Sequence, residues 1–174
     1  MTDRLLIIVD MQNDFIDGVL GTPEARAIVE KVLAKKNKHE GPVLFTADTH
    51  VHDYLSTQEG QKLPIEHCML GSSGWRIHPS LHLFSDHDYD VICKSTFGSF
   101  TLVEYIREWY LKDIKSIELV GVCTDICVIS NAIILRNAFP ELEIYVDSSC
   151  CAGVTPESHR NALEVMKMCQ INVI

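Results

Sequence analysis

Six short apolar or β-branched runs recur along the chain, and most are apolar throughout rather than alternating with polar residues: Leu5 to Val9, Val43 to Thr46, Tyr89 to Cys93, Ile117 to Val120, Glu143 to Val146 and Gln170 to Ile174. A strand that is apolar at every position is buried on both faces, which a sheet covered by helices on each side provides. Helical patterns lie between several of the runs. Thr22-Pro23 pairs an N-cap with a first-turn proline; Ile28, Val29, Val32 and Leu33 then share a face, and Lys35, Lys36 and Lys38 gather near the C-terminal end. Thr101 to Lys112 spaces Leu102, Val103, Ile106, Trp109 and Tyr110 at helical intervals. Thr155-Pro156-Glu157 opens a further helix whose apolar face is Ala162, Leu163, Val165, Met166 and Cys169. This alternation predicts an α/β fold, a doubly wound parallel sheet of about six strands with helices on both faces.

Composition narrows the function classes. At 174 residues the chain suits one domain spanning 1–174. A formal charge of -9 with scattered cations gives no basic footprint, so nucleic acid and anionic membrane are excluded as partners. The first apolar run is too brief for a signal peptide and none approaches a membrane span, which predicts a cytoplasmic protein. Seven cysteines, an odd number with no CxxC pair, do not make a disulfide framework. In a reducing compartment they are mostly small buried hydrophobes, with room for one reactive member.

That member is Cys127. The stretch from Ser116 to Arg136 reads as strand, tight turn and helix, with Cys127 near the helix start, where unpaired backbone N–H groups and the helix dipole stabilise a thiolate. The alternative is an ordinary buried cysteine in an Ile- and Val-rich helix. Asp10 and Lys94 weigh against that alternative. Each ends an apolar run, Leu-Ile-Ile-Val before the aspartate and Val-Ile-Cys before the lysine, where a charge is costly unless paired. Ligands of an open parallel sheet bind beyond the carboxyl ends of the strands. Asp10, Asp48, Lys94, the turn from Gly121 to Cys127, and Asp147 all follow predicted strand ends, so topology gathers them on one edge. A carboxylate and a cation beside a thiol form an activated nucleophile; their other reading is a structural ion pair.

The long segment from Ala47 to Asp88 lacks sustained periodicity and is rich in Gly, His, Ser and Asp. An irregular connection of that length is usually functional or disordered, and Trp75, Leu81, Leu83 and Phe84 in its second half predict that it is packed. It carries Asp48-Thr-His50, then Glu59 and His67, a carboxylate and imidazole set suited to one divalent metal, zinc first, with manganese or iron as alternatives. The other reading is a group of solvated loop histidines, which we expect of His39, His52, His78, His82 and His87.

Three blocks resemble the signatures of the isochorismatase-like cysteine hydrolases: Asp10-Met-Gln-Asn-Asp-Phe15, Lys94-Ser-Thr-Phe-Gly-Ser-Phe100 and Gly121-Val-Cys-Thr-Asp-Ile-Cys-Val128. Asp48-Thr-His50, Leu63-Pro-Ile-Glu-His-Cys68 and Gly71 to Gly74 resemble the metal-binding block of the nicotinamidase branch. The resemblance implies a catalytic triad of Asp10, Lys94 and Cys127, a metal held by Asp48, His50 and His67 with Glu59 as a further ligand, and an oxyanion hole from the N–H groups of Cys123 and Cys127. It also implies a cis peptide between Val122 and Cys123. Phe15 and Phe97 are the candidates for contact with the substrate. The chain departs from the family at Cys123, where alanine is more usual, at Phe97, where tyrosine is common, and at Cys150-Cys151, where small residues are typical.

The implied activity is metal-assisted hydrolysis of nicotinamide to nicotinate and ammonia through a thioester, in NAD salvage, by an enzyme that is often a homo-oligomer. The alternatives are a metal-independent amidase or carbamoyl hydrolase of the same superfamily, vinyl ether hydrolysis without a cysteine nucleophile, and a non-catalytic binding module on the same fold.

Overall fold

A computed structural model describes residues 3–81 and 90–174. In chain order the elements are β1 (Arg4–Val9), the short α1 (Asn13–Ile16), α2 (Pro23–Lys38), β2 (Val43–Asp48), the short α3 (Gln58–Lys62), β3 (Asp90–Lys94), α4 (Phe100–Trp109), β4 (Ser116–Val122), α5 (Ile129–Ala138), β5 (Glu143–Ala152), α6 (Pro156–Met168) and β6 (Asn172–Val173). Tyr89, the expected first residue of the third strand, and His82, Leu83, Phe84 and His87 lie outside the described residues.

All pairings are parallel, in the order β3-β2-β1-β4-β5-β6. The chain winds outward from β1 through β2 to β3, then crosses to β4 on the other side. The β1/β4 boundary is therefore the point where strand order reverses and where a crevice opens at the carboxyl edge. β1 and β4 are buried along almost their whole length, as their unbroken apolar runs require. Alternate residues serve opposite faces: Leu5, Ile7 and Val9 pack with α4, α5 and α6, whereas Leu6 and Ile8 pack with α1 and α2. Gly121 marks the closest approach of the two central strands. Its φ is +116°, and a Cβ there would lie 2.2 Å from the Val9 carbonyl oxygen.

The helix starts follow the caps: Thr22 accepts from Ala25 N–H, Ser99 from Leu102 N–H, and Thr155 forms a reciprocal capping box with Ser158. Several expectations about faces and ends are corrected. α4 stops at Trp109 because the chain leaves helical geometry at Tyr110, and Trp109 itself is exposed. On α6, Val165 and Cys169 face solvent, so the buried stripe is only Ala162, Leu163 and Met166. β5 continues six residues beyond its apolar start, through Asp147-Ser-Ser to Ala152. Asp147 therefore lies inside the strand and away from the carboxyl edge. Among the described residues, no helix is long and apolar enough to cross a membrane.

Candidate active site

Asp10 is the first residue beyond β1, Lys94 the last of β3, and Cys127 sits in a π-helical turn, Thr124–Val128, between β4 and α5. The sheet's carboxyl edge brings all three together. Lys94 Nζ lies 2.7 Å from Asp10 Oδ2 and donates to Cys127 Sγ at 3.6 Å. All three are buried: Asp10 is 0% exposed, Lys94 and Cys127 4%. Asp10 adopts φ 47°, a left-handed conformation that is uncommon for an aspartate and that turns the chain sharply off β1. Val122–Cys123 is a cis peptide, as the family resemblance implied.

The two oxygens of Asp10 are not equivalent. Thr46, on the neighbouring β2, takes the Asp10 N–H on Oγ1 at 3.2 Å and donates its hydroxyl proton to Oδ1 at 2.6 Å. Oδ2 faces the Lys94 ammonium at 2.7 Å and has no other partner. A buried carboxylate oxygen in that condition is a ready acceptor for a proton brought to it. Burial pushes the Asp10 carboxyl up, and Lys94 opposes the push. Burial likewise depresses the Lys94 ammonium, but Asp10, Cys127 and Asp48 outweigh it and hold the group above its ordinary value.

The expected lowering of the Cys127 thiol is reversed. Complete burial, followed by the Asp10 charge, pushes it well above its ordinary value, against the pull of Lys94. The resting group is a thiol, which must lose its proton to a neighbour as it attacks. Cys123, on the same turn, is pushed up to about 12, chiefly by burial.

Asp48 closes the cluster on its other side and joins it to the second constellation. Its Oδ1 lies 3.4 Å from Lys94 Nζ, and its Oδ2 lies 3.0 Å from His50 Nε2 and 3.6 Å from His67 Nε2. Glu59 Oε1 stands 3.8 Å from His50 Nε2 and 4.0 Å from His67 Nε2. All four residues thus offer ligand atoms within 4.8 Å of one another. Metal–ligand bonds of about 2.1 Å put neighbouring ligands roughly 3.0–3.4 Å apart, so a small contraction of this set would hold a divalent ion. His67 Nδ1 meets the Ile65 carbonyl at 2.8 Å, which fixes its tautomer and leaves Nε2 free for the ligand position. The donors, two imidazoles and two carboxylates, suit zinc, manganese or iron. Burial favours neutral Asp48, but His50 and His67, then Lys94, hold its carboxyl well below the usual range.

The loop histidines divide. His52 is exposed as expected, whereas His39 is half-buried with Nε2 3.0 Å from the Arg4 carbonyl, and His78 is half-buried 3.6 Å from Asp17. The excursion that brings His50, Glu59 and His67 back is packed, with Leu81 buried and the Trp75 indole donating to Thr49 Oγ1 at 2.9 Å. A residue invisible to pattern reading pins it. Gln12 is fully buried; its Oε1 accepts from Asp48 N–H at 2.7 Å and its Nε2 donates to the carbonyls of Asp48 and Trp75, each at 2.8 Å. Asp14 Oδ2 accepts the Cys68 N–H at 2.7 Å. The block after β1 thereby supplies both the carboxylate at Asp10 and the scaffold for the candidate metal ligands.

A cavity of ≈ 280 Å³ connects the two constellations, with Cys123, Cys127, Asp48, Glu59 and His67 at its polar ends and Phe15, Leu20, Leu63, Phe97, Ile126 and Val154 among its walls. Phe15 meets the His67 ring edge-on, with centroids 5.7 Å apart, and Phe97 is half exposed at the mouth.

The family model described as "Isochorismatase domain" matches residues 4–174. The chain belongs to the isochorismatase family. It is 28% identical over 190 residues to the nicotinamidase/pyrazinamidase of Mycobacterium tuberculosis, covering 98% of each chain. The nicotinamidase of Schizosaccharomyces pombe is also 28% identical, over 210 residues that cover 97% of this chain and 91% of the relative. Among solved structures, the nicotinamidase/pyrazinamidase of Bacillus subtilis superposes with a TM-score of 0.83 at 25% identity, covering 99% of both chains. The pyrazinamidase of Pyrococcus horikoshii, solved in complex with zinc, does so with a TM-score of 0.82 at 26% identity, covering 99% of this chain and 98% of the other. The six-stranded parallel sheet is the fold these structures share.

Proposed function

We propose that the protein is a metal-assisted cysteine amidase that hydrolyses nicotinamide to nicotinate and ammonia. One observation carries the reading: Lys94 bridges a buried carboxylate and a buried thiol, at 2.7 and 3.6 Å, and that thiol lines an aromatic-walled cavity together with Asp48, Glu59 and His67 of the four-residue cluster. Asp48, His50, Glu59 and His67 would hold the divalent ion, zinc first, and when bound it would supply Lewis acidity for docking a ring nitrogen. Phe15 and Phe97 would pack on the ring.

The protein groups carry the proton. Cys127 gives its thiol proton to Asp10 Oδ2, the oxygen that Thr46 leaves unoccupied, while Lys94 keeps the nascent thiolate paired. Sulfur attacks the carboxamide carbon and the carbonyl oxygen takes the negative charge, stabilised by the N–H groups of Cys123 and Cys127. Asp10 returns the proton to the departing nitrogen, and the C–N bond breaks to leave a thioester and ammonia. A water then loses a proton to Asp10 and attacks the thioester; sulfur leaves, is reprotonated, and the acid is released. The upward push on Asp10 matches it to this work, because a base closer in pKa to the thiol transfers the proton at lower cost.

The four converging ligands favour this reading over the metal-independent amidase. The intact set of Asp10, Lys94 and Cys127 favours it over the binding module. The test is ammonia release from nicotinamide against a panel of aliphatic and carbamoyl amides, with and without chelator. Turnover of nicotinamide above the panel, lost on chelation and restored by zinc, is the expected outcome; equal rates on ringless amides, indifferent to chelator, would overturn the assignment.

A further inference from the structure

Asn131 stands four residues after Cys127 on α5 and is fully buried, in a stretch where Val128, Ala132 and Leu135 are the other fully buried residues. Asparagine is a poor helix-interior residue, and a buried amide is costly unless its groups are satisfied. Here three bonds satisfy it. Nδ2 donates to the Cys127 carbonyl at 2.8 Å and to the Phe97 carbonyl at 3.1 Å, and Oδ1 accepts from Ser99 N–H at 3.0 Å. The two loop contacts straddle Gly98, where a Cβ would come within 2.4 Å of Ile134 Cδ1 and 3.2 Å of the Ser130 carbonyl. The Phe97–Ser99 segment therefore lies directly on α5, and it is the segment that leads from Lys94 into the N-cap of α4.

We infer that Asn131 is a positioning residue that sets the nucleophile turn and the Phe97 wall of the cavity relative to each other. One amide holds the backbone that carries Cys127 and the backbone that carries the aromatic ring opposite it. Releasing it frees both, and a displacement of about 1 Å at a reacting group costs on the order of 10²-fold in rate. The inference about the ring rests on the aromatic-amide reading; the inference about the thiol does not.

The experiment uses Asn131→Ala, Asn131→Thr, Phe97→Ala and the Phe97→Ala/Asn131→Ala double variant, with two readouts. The first is site-resolved alkylation by iodoacetamide, read by peptide mass spectrometry. Cys127 is 4% exposed and should alkylate about fivefold faster or more in Asn131→Ala, while buried Cys68, Cys150 and Cys151 keep their wild-type rates as internal controls for folding. A threonine hydroxyl can donate back to the carbonyl four residues earlier, so Asn131→Thr should keep Cys127 protected while losing the loop contacts. The second readout is kcat/KM on nicotinamide and on propanamide. Asn131→Ala should lose about tenfold or more on nicotinamide and less on the ringless amide, and its loss should shrink in the Phe97→Ala background because the two act on one wall. An unchanged Cys127 rate, a parallel rise at the control cysteines, or losses that multiply in full would overturn the inference. If the wild-type protein releases no ammonia from nicotinamide, the substrate assignment fails by itself, and the alkylation arm still decides the role at Cys127. Should Asn131→Ala not fold, Asn131→Thr carries the kinetic readout, and an unchanged ratio of kcat/KM on nicotinamide to that on propanamide would overturn the inference.

Discussion

Two clusters of buried charge sit on this sheet, and they differ in one respect that separates chemistry from architecture. Around the N-terminal half of β4, Glu118 pairs through Oε2 with Arg4 at 3.0 Å and through Oε1 with Lys35 of α2. Lys35 also reaches Asp147 Oδ2 at 2.6 Å, and Asp147 Oδ1 takes the Ser149 N–H at 2.9 Å and its hydroxyl at 2.7 Å. Arg4 further donates to Ser116 Oγ at 3.1 Å and lies over the Tyr145 ring at 4.2 Å. Each carboxylate oxygen there faces a cation or a donor. At the carboxyl edge, Lys94 joins Asp10 Oδ2 to a neutral thiol, and that thiol lines a cavity. Burial of charge is common to both. A thiol held against the ion pair and lining a cavity belongs to the second, and it is the better mark of a reacting site.

The comparison breaks most decisively at Cys127. Cys127→Ala should reduce ammonia release by at least about 10³-fold, because the covalent step is lost outright, with the melting temperature held within a few degrees. Wild-type turnover in that variant would end the thioester mechanism. The opposite signature is expected at Glu118. Glu118→Ala leaves Arg4 and Lys35 facing each other without their shared anion, and removing one partner of a buried ion cluster costs about 3–5 kcal/mol. Chemical denaturation should show that loss, while kcat per folded molecule stays within about twofold. A stable Glu118→Ala protein with impaired turnover would mean that the two clusters are not separable.

Much of the active cluster was legible because it breaks a pattern. Asp10 and Lys94 interrupt apolar runs at strand ends, and parallel topology sends every such end to one edge. Asp48, His50, Glu59 and His67 were legible as one carboxylate and imidazole set within an irregular segment, and the resemblance weighed for that set against solvated loop histidines. Asp147 misled for the same reason that Asp10 did not. Its run of apolar residues ends, but the strand continues to Ala152, since pairing with β4 extends past an irregularity between Leu119 and Gly121. Gln12, Thr46 and Asn131 escaped because they are neutral polar residues whose roles lie in three-dimensional hydrogen bonding, with no periodicity to reveal them. The thiol also behaved differently from its position in the sequence. A helix start stabilises a thiolate, but complete burial beside Asp10 outweighs it.

Thr46 sharpens the contrast at a smaller scale. Its hydroxyl occupies Asp10 Oδ1 and so leaves Oδ2 as the oxygen to take the transferred proton. A hydrogen bond to a charged group contributes about 1.5–3 kcal/mol, so Thr46→Val should lower kcat by roughly 10- to 100-fold. Thr46→Ser, which restores the hydroxyl, should recover most of the rate. Metal content measured alongside separates this from damage to Asp48, two residues further along β2. Equal kcat for Thr46→Val and wild type would show that Asp10 needs no such support.

The smallest expected effect distinguishes the clusters by pH. Burial works against both Lys35 and Asp147 as charged groups, yet their partners prevail: hydrogen bonds from Lys35 and Ser149 hold Asp147 below the usual carboxylate value, and Asp147 with Glu118 holds Lys35 above the usual lysine value. A carboxyl depressed in the folded state stabilises above its unfolded pKa, about 3.9, and that stabilisation is lost as pH falls through the folded value. A raised ammonium stabilises below its unfolded pKa, about 10.4, and that contribution is lost as pH rises through the folded value. Wild-type protein should therefore exceed Asp147→Asn in stability by a constant margin, on the order of 1 kcal/mol, from about pH 5 to pH 9. The margin should close below about pH 4, with the slope confined to the acid side. Denaturant midpoints for both proteins across that range, set beside kcat for both, give the check. A margin that stays constant down to pH 2 would mean that Asp147 is not held in the ion cluster, and a shift in the pH profile of kcat would place it in contact with the chemistry after all.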